Sequence, residues 1–350
     1  MAYTNIDDPS AHFQTATYSG SGGTGGHAIV NDGNSDLQPD IVWLKQRSYA
    51  SSHRLMDSSR GGNKILESDT DNAEATYGYI SSFDTDGFTL GYSDTSFDGY
   101  GREYVGWQWK ANGGTTSSNT DGSITSTVQA NTTAGFSIVT WTGSGSAGTI
   151  GHGLGAVPTH FIVKERNGAD DWANYSPFLD GLNYVFSLNN TYSQFTPASY
   201  INSTAPTSSV FSVDGSIINQ SGQTYVGYFF TDIQGYSKMG KYKGNGNTNG
   251  TFVYTGFKPA FILIKNLDAT ENWFLMDNKR DGYNLTNKYI LAGNTAAEST
   301  TGGYGNIDLL SNGFKLRSSY QSVNSTHEFA YLAFAENPFV TSTGIPTTAR

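Results

Sequence analysis

Short runs in which apolar and polar positions alternate recur along the chain, as in Phe136-Ser137-Ile138-Val139-Thr140-Trp141, and clusters of Gly, Ser, Asn and Asp separate them. A period of two belongs to a strand with one buried face, and the clusters supply the turns, so the pattern predicts short antiparallel strands. Three runs are apolar almost without interruption and each follows a proline: Pro39-Asp40-Ile41-Val42-Trp43-Leu44-Lys45, Pro158-Thr159-His160-Phe161-Ile162-Val163-Lys164 and Pro259-Ala260-Phe261-Ile262-Leu263-Ile264-Lys265. Such runs predict central strands buried on both faces, with the proline at the strand's first position. Long amphipathic helices are not visible.

The three proline-led runs belong to a larger repeat. Each copy opens with an aromatic residue and a Gly-x-Gly turn: Tyr18-Ser19-Gly20-Ser21-Gly22, Trp141-Thr142-Gly143-Ser144-Gly145 and Tyr242-Lys243-Gly244-Asn245-Gly246. A lysine stands six residues after the proline in every copy, and His53, Trp172 and Trp273 stand fourteen after it. A Phe-bearing strand follows in each, around Phe88, Phe211 and Phe314. An aromatic-rich strand closes the unit: Tyr104-Val105-Gly106-Trp107, Tyr225-Val226-Gly227-Tyr228 and Tyr331-Leu332-Ala333-Phe334. The period is 119 residues and then 101, and the excess lies in the Gly, Ser, Thr and Asn of 112–134.

The expected organisation is therefore three tandem homologous antiparallel β-sandwich, jelly-roll-like domains over 1–111, 135–235 and 236–336. A flexible or extended linker is expected over 112–134 and a C-terminal tail over 337–350. Each copy is expected to fold as its own domain, because about a hundred residues exceeds an ordinary solenoid unit.

Composition agrees with this reading: 42 glycines and 14 % aromatics suit strands joined by tight turns, and only 14 % of residues are charged. The net charge of −10 repels phosphate backbones, so nucleic acid is not an expected partner. No apolar run approaches the ~20 residues that span a bilayer, so membrane insertion is not expected. The start Met1-Ala2-Tyr3-Thr4-Asn5-Ile6-Asp7-Asp8 has neither a basic nor an apolar region of an export signal, so export by such a signal is not expected. The absence of cysteine excludes disulfides, thiolate catalysis and Cys-ligated zinc.

Gly20-Ser21-Gly22-Gly23-Thr24-Gly25 and Gly143-Ser144-Gly145-Ser146-Ala147-Gly148 fit a dinucleotide-binding pattern, but no helix follows either, and a hairpin loop is the expected reading. Acidic residues gather at 67–74 and 84–87 without a complete calcium loop, so solvated turns are expected there, and no metal or cofactor. Asp57 with Arg60, and Asp277 with Arg280, recur in copies one and three, followed by Glu74 and Glu298; copy two lacks the pair. These are expected to close loops by charge-assisted hydrogen bonds. The histidines lack metal-hydrolase spacing and no serine sits in a nucleophile elbow, so no catalytic residue is assigned and no enzyme is expected. Most aromatics belong to strand cores, whereas Tyr18, Tyr100, Trp172, Tyr283 and Tyr304 are candidates for stacking on glycans or other receptor groups from loops.

Four further segments carry a family resemblance: Met1 to Ser10, Gly151-His152-Gly153-Leu154-Gly155-Ala156-Val157-Pro158, Asp277-Asn278-Lys279-Arg280 and Ala335-Glu336-Asn337-Pro338-Phe339. With them the chain resembles repeat-containing tail-fibre and related virion structural proteins of tailed, especially marine, bacteriophages. The resemblance implies a virion component, in the tail apparatus, whose β-domains assemble and touch the host surface. Expected partners are further copies of the chain as a homotrimer, other virion proteins bound through Met1–Ser10 or the tail from Asn337, and a host glycan or protein. A purely structural capsid-decoration or tail-connector protein is one alternative. An envelope-glycan depolymerase, which needs two carboxylates at roughly 5–10 Å across a groove, is another.

Overall fold

The alternating and apolar runs become strands throughout. The computed structural model describes residues 2–23, 25–91, 94–196 and 200–348. Among them the strands pair only antiparallel, and helix is confined to the short segments Pro9–Ala11, Thr301–Gly303 and Gln321–Asn324. The fold is all-β, with antiparallel sheets packed as sandwiches.

Each copy builds a main sheet from four corresponding strands. The opening strands are Phe13–Ser19, Phe136–Thr142 and Ser237–Lys243; the central strands are Ile41–Gln46, His160–Glu165 and Phe257–Asn266. The third strands are Arg54–Asp57, Ala173–Tyr175 and Phe274–Asp277, and the closing strands are Glu103–Trp109, Thr224–Phe230 and Glu328–Pro338. The order across the sheet is opening, closing, central, third in every copy. A smaller outer sheet covers one face of each: Gly87–Leu90 with its neighbours in copy one, Val210–Val213 with Gly148–Gly151 in copy two, and Gly313–Leu316 with its neighbours in copy three.

The central strands are buried along their whole length, as continuous apolar runs require. Pro39 and Pro158 precede their strands, but Pro259 lies inside Phe257–Asn266 at a shift of register, where a bulge removes the need for its missing N–H. Pairing also corrects the repeat alignment. Trp109, Phe230 and Phe334 face Ile41, His160 and Phe261, so Phe329, not Tyr331, corresponds to Tyr104 and Tyr225. Ring stacks confirm the register: Tyr18 on Tyr104, Trp141 on Tyr225 and Tyr242 on Phe329, at 5.1, 5.3 and 5.1 Å.

The Gly-x-Gly turns are close approaches of backbone to backbone. A side chain on Gly20, Gly143 or Gly244 would sit 2.1, 2.1 or 1.9 Å from the carbonyl of Gly99, Gln220 or Ser325, which only glycine permits. No helix follows these loops, but they are not the expected hairpins: each carries the chain from the opening strand of the main sheet to a strand of the outer sheet with which it does not pair, from Phe13–Ser19 to His27–Ile29, from Phe136–Thr142 to Gly148–Gly151 and from Ser237–Lys243 to Phe252–Tyr254; Thr24 lies outside the described residues.

Where the repeat led to an expectation of separate domains, the structure adds a shared interior. Each sandwich encloses its own core, around Phe88 in copy one, Phe211 in copy two and Phe314 in copy three. A fourth and larger core joins all three, drawing Trp43, Trp107 and Trp109 from the first copy, Ile162, Trp172 and Phe230 from the second, and Phe261, Trp273 and Phe334 from the third. The main sheets thus turn their second apolar faces toward one another around a pseudo-threefold axis. Burial contributes roughly 1.5–3 kcal/mol per large apolar side chain, which is why no copy can leave this face to water.

The expected linker is not one. Ser117–Asn119 and Ser126–Asn131 are strands, and the latter pairs with the opening strand of copy two from Ser126↔Trp141 to Asn131↔Phe136. Its polar composition hides a strand that is buried at Val128 on one face and at Gln129 on the other. The turn before it is gathered by the Asp40 carboxylate, which accepts the amides of Ala111, Gly113 and Gly114 at 2.7–2.9 Å. The terminal segments also pack. Thr4 and Ile6 are buried, and Tyr3 donates to Gly256 O and meets the Phe339 ring. The Ser342 amide donates to Asp7, so residues 3–7 and the start of the tail both dock beside copy three; Met1, Ala349 and Arg350 lie outside the described residues.

Candidate functional site

The seams between copies repeat one set of contacts around the axis. The ring N–H of Trp172 donates to Glu67 O at 2.8 Å and that of Trp273 to Ser187 O at 2.8 Å. His53 Nε2 closes the circle on Leu291 O at 3.0 Å, and Trp43 donates to its Nδ1, which fixes the neutral tautomer. Burial pushes the His53 pKa well below its ordinary value. Backbone amides follow the same cycle: Glu74 to Arg166 O, Gln194 to Leu267 O and Glu298 to Arg47 O. His53 and Trp172, met as equivalents in the sequence, are therefore seam anchors.

Both Asp–Arg pairs form. Arg60 Nε donates to Asp57 Oδ2 and Arg280 Nε to Asp277 Oδ2, each at 2.6 Å with all four side chains fully enclosed. Their reach extends beyond the loop. Arg60 also meets Glu74, which takes two hydrogen bonds from Arg166 of copy two, while Asp57 accepts from the Tyr228 hydroxyl at 2.8 Å. Across the next seam Arg280 meets Glu298, which takes two from Arg47 of copy one, and Asp277 accepts from Trp107 Nε1 at 3.0 Å. The pairs clip neighbouring copies together. At the seam of copies two and three the corresponding positions are Ser176, Leu179, Gln194, Leu267 and Leu332, so charge and its cross-seam partners vanish together. Removing every member leaves no buried charge uncompensated.

The repeated lysines cap main-chain carbonyls, Lys45 and Lys265 across a seam and Lys164 within its own copy. Lys45 Nζ bonds to Gln46 O and to Thr295 O of copy three, Lys265 Nζ to Glu271 O and to Thr191 O of copy two, and Lys164 Nζ to Glu165 O and Gly168 O. Burial pushes Lys45 and Lys164 down to about 8 and Lys265 down to about 7. Between those values and the unfolded lysine pKa near 10.4 the native state binds fewer protons than the unfolded chain, so stability rises with pH. The melting temperature should climb from pH 7 to pH 10. Above about pH 10 buried tyrosines such as Tyr225, raised by burial, reverse the slope. A scan that falls steadily from pH 7 to pH 10 contradicts this.

The five aromatic candidates separate. Trp172 is 0 % exposed in the shared core and cannot meet a receptor, while Tyr18 is half-buried against the core of copy one with its hydroxyl on Phe97 O. Tyr304 is half-buried and stacked on Tyr320 at 3.8 Å. Tyr100 and Tyr283 stand out in loops at 86 % and 83 % exposure. Strand alternation said nothing about Tyr77, which is 56 % exposed and stacked on Tyr79 at 5.3 Å and 10°. The two rings line a cleft of about 520 Å³ with Gly78, Gly91 and Asp94. Its signal was the Tyr77-Gly78-Tyr79 triplet, which breaks the strand pattern.

The acidic loops are engaged by the protein. Glu67 pairs with Arg54 at 2.5 Å, Asp69 accepts the His53 amide and Asp84 accepts from Thr89. Among the described residues no three His, Asp or Glu side chains gather as a metal site, and no helix is long and apolar enough to cross a membrane. Burial and the adjacent Asp170 raise the Glu165 carboxyl to about 7.

A family model described as a domain of unknown function, DUF7483, matches residues 8–338. No curated protein and no solved structure matches the chain.

Proposed function

The chain belongs to the DUF7483 family, and we propose that it is a non-catalytic structural and recognition component of a virus particle, of the phage-tail kind that its sequence resembles. The observation that carries recognition is the Tyr77–Tyr79 stack beside Asp94, on a loop held by a scaffold closed around a common core. An exposed aromatic face takes the C–H face of a sugar, a carboxylate accepts its hydroxyls, and a rigid support limits the entropy lost on binding. Tyr100 and Tyr283 extend the aromatic surface. Attachment to other virion proteins, and homotrimer formation, belong to the same proposal. It must use the outer faces of residues 3–7 and of the start of the tail, whose inner sides already dock on copy three.

The test is binding of the purified chain to immobilised bacterial envelope polysaccharide. Saturable binding that Tyr77→Ala weakens at least tenfold, about 1.4 kcal/mol, with an unchanged circular dichroism spectrum, supports the reading. No binding to any envelope fraction favours the architectural alternative, to which the burial of Trp172 already lends weight.

A further inference from the structure

The pseudo-threefold axis exposes one position where the copies differ for no reason internal to the fold. The opening strand is the last strand of the main sheet in copies one and three, whereas in copy two Ser126–Asn131 is added outside it. Ile138 pairs there with Gln129, whose carboxamide is fully buried. Gln129 Oε1 accepts from Gly114 N at 2.8 Å and its Nε2 donates to Ser58 Oγ and Ser59 Oγ at 3.0 and 2.8 Å.

Copy three closes the same edge by charge. Met239, which corresponds to Ile138, donates its amide to Asp232 Oδ1 at 2.9 Å, and Lys238 and Lys241 are ion-paired along the strand. Charged side chains of this kind blunt an edge against further pairing.

Copy one does neither. Lys110 N donates to His12 O, so the even-numbered residues of the opening strand turn to Glu103–Trp109 and the main-chain groups of Phe13, Thr15 and Thr17 turn to the other side, Thr17 exposed there and Phe13 and Thr15 recessed at 2 % and 4 % exposure. Among the described residues no strand pairs with that side, and the buried Thr15 Oγ1 has no hydrogen-bond partner. Beside it lies a cleft of about 240 Å³ lined by Gln14, Thr15, Asn278, Lys279, Glu336 and Asn337. Asn278 and Lys279 correspond to Ser58 and Ser59, and Asn337 to Asn112. The cleft is the counterpart of the chamber that Gln129 fills.

We propose that the outer edge of Phe13–Ser19 accepts an extended segment of a partner polypeptide as an added antiparallel strand, with a Gln or Asn side chain opposite Thr15. The chemistry of the occupant is copied from the one the chain itself uses in copy two. Main-chain bonds to Phe13, Thr15 and Thr17 supply affinity, and the carboxamide in the cleft supplies register and selectivity.

The probe is a fluorescein-labelled synthetic peptide spanning residues 124–132, titrated against the full chain by polarisation. Saturable binding is expected. Thr17→Pro removes one outward N–H at an exposed edge position, where the fold tolerates proline, and should weaken binding at least tenfold. Should that variant fail to fold, the same peptide N-methylated on alternate amides, offered to the unaltered chain, should lose binding equally. Replacing the peptide's glutamine by leucine should weaken it as well. Absence of saturable binding overturns the proposal. So does affinity undiminished by Thr17→Pro, which would mean that the peptide only displaces Ser126–Asn131 in copy two, and so does affinity undiminished by N-methylation, which would mean that no main-chain pairing holds the peptide.

Discussion

Arg60→Leu should lower the stability of the chain by about 3–5 kcal/mol, because it leaves the enclosed Asp57 carboxylate without its cation and strips Glu74 of one of its two partners. The size of that loss reflects an orphaned charge rather than the worth of the pair. The protein itself displays the alternative: at the seam of copies two and three Ser176, Leu179, Gln194 and Leu332 stand in the same places. Introducing Asp57→Ser, Arg60→Leu, Glu74→Gln, Arg166→Leu and Tyr228→Leu together should therefore restore most of what Arg60→Leu loses, since well-packed apolar groups replace buried ion pairs at little or no cost. Chemical denaturation of the two variants measures both. A fivefold variant as unstable as the single one would show that the network holds the seam through its net attraction.

Trp172→Ala should cost about 3–5 kcal/mol and act on the whole molecule. The indole is completely enclosed where all three copies meet, and its N–H carries the bond to Glu67 O across the first seam. Trp172→Phe keeps most of the packing and leaves that carbonyl unpaired, for about 1–3 kcal/mol. Against a total of roughly 5–15 kcal/mol the alanine variant sits near the edge of folding. Because the core is shared, tryptophan fluorescence and far-ultraviolet circular dichroism should report one coincident unfolding transition for the native chain and for the variant. Separate transitions would mean that the copies fold as independent units despite their common core.

The difference between the two residues in the sequence and in the structure is instructive. Trp172 sits in a stretch rich in Asp, Asn and Gly that reads as a loop, and a loop tryptophan invites a binding role. Its equivalence to His53 and Trp273 was visible, yet equivalence gives no direction. Only the packing of the second faces of the main sheets shows that all three point inward and to the next copy. Asp57 and Arg60 were legible as a pair because their spacing lets one close on the other within four residues. Arg166, Tyr228 and Glu74 join them from far along the chain, and no local spacing encodes that meeting.

Residue order alone determined the strand content, the threefold repetition, the glycine turns and the burial of the central strands. These follow from periodicity and conformational preference, which act between neighbours in the chain. Tertiary structure decided the shared core, the recruitment of Ser126–Asn131 into a sheet, the cross-seam partners of Arg60 and Arg280, and which tyrosines reach solvent. Those features depend on which apolar face is left over once each sandwich has closed, and on what the neighbouring copy places against it. Alternation marks a strand as having two faces, but only packing assigns each of them a neighbour.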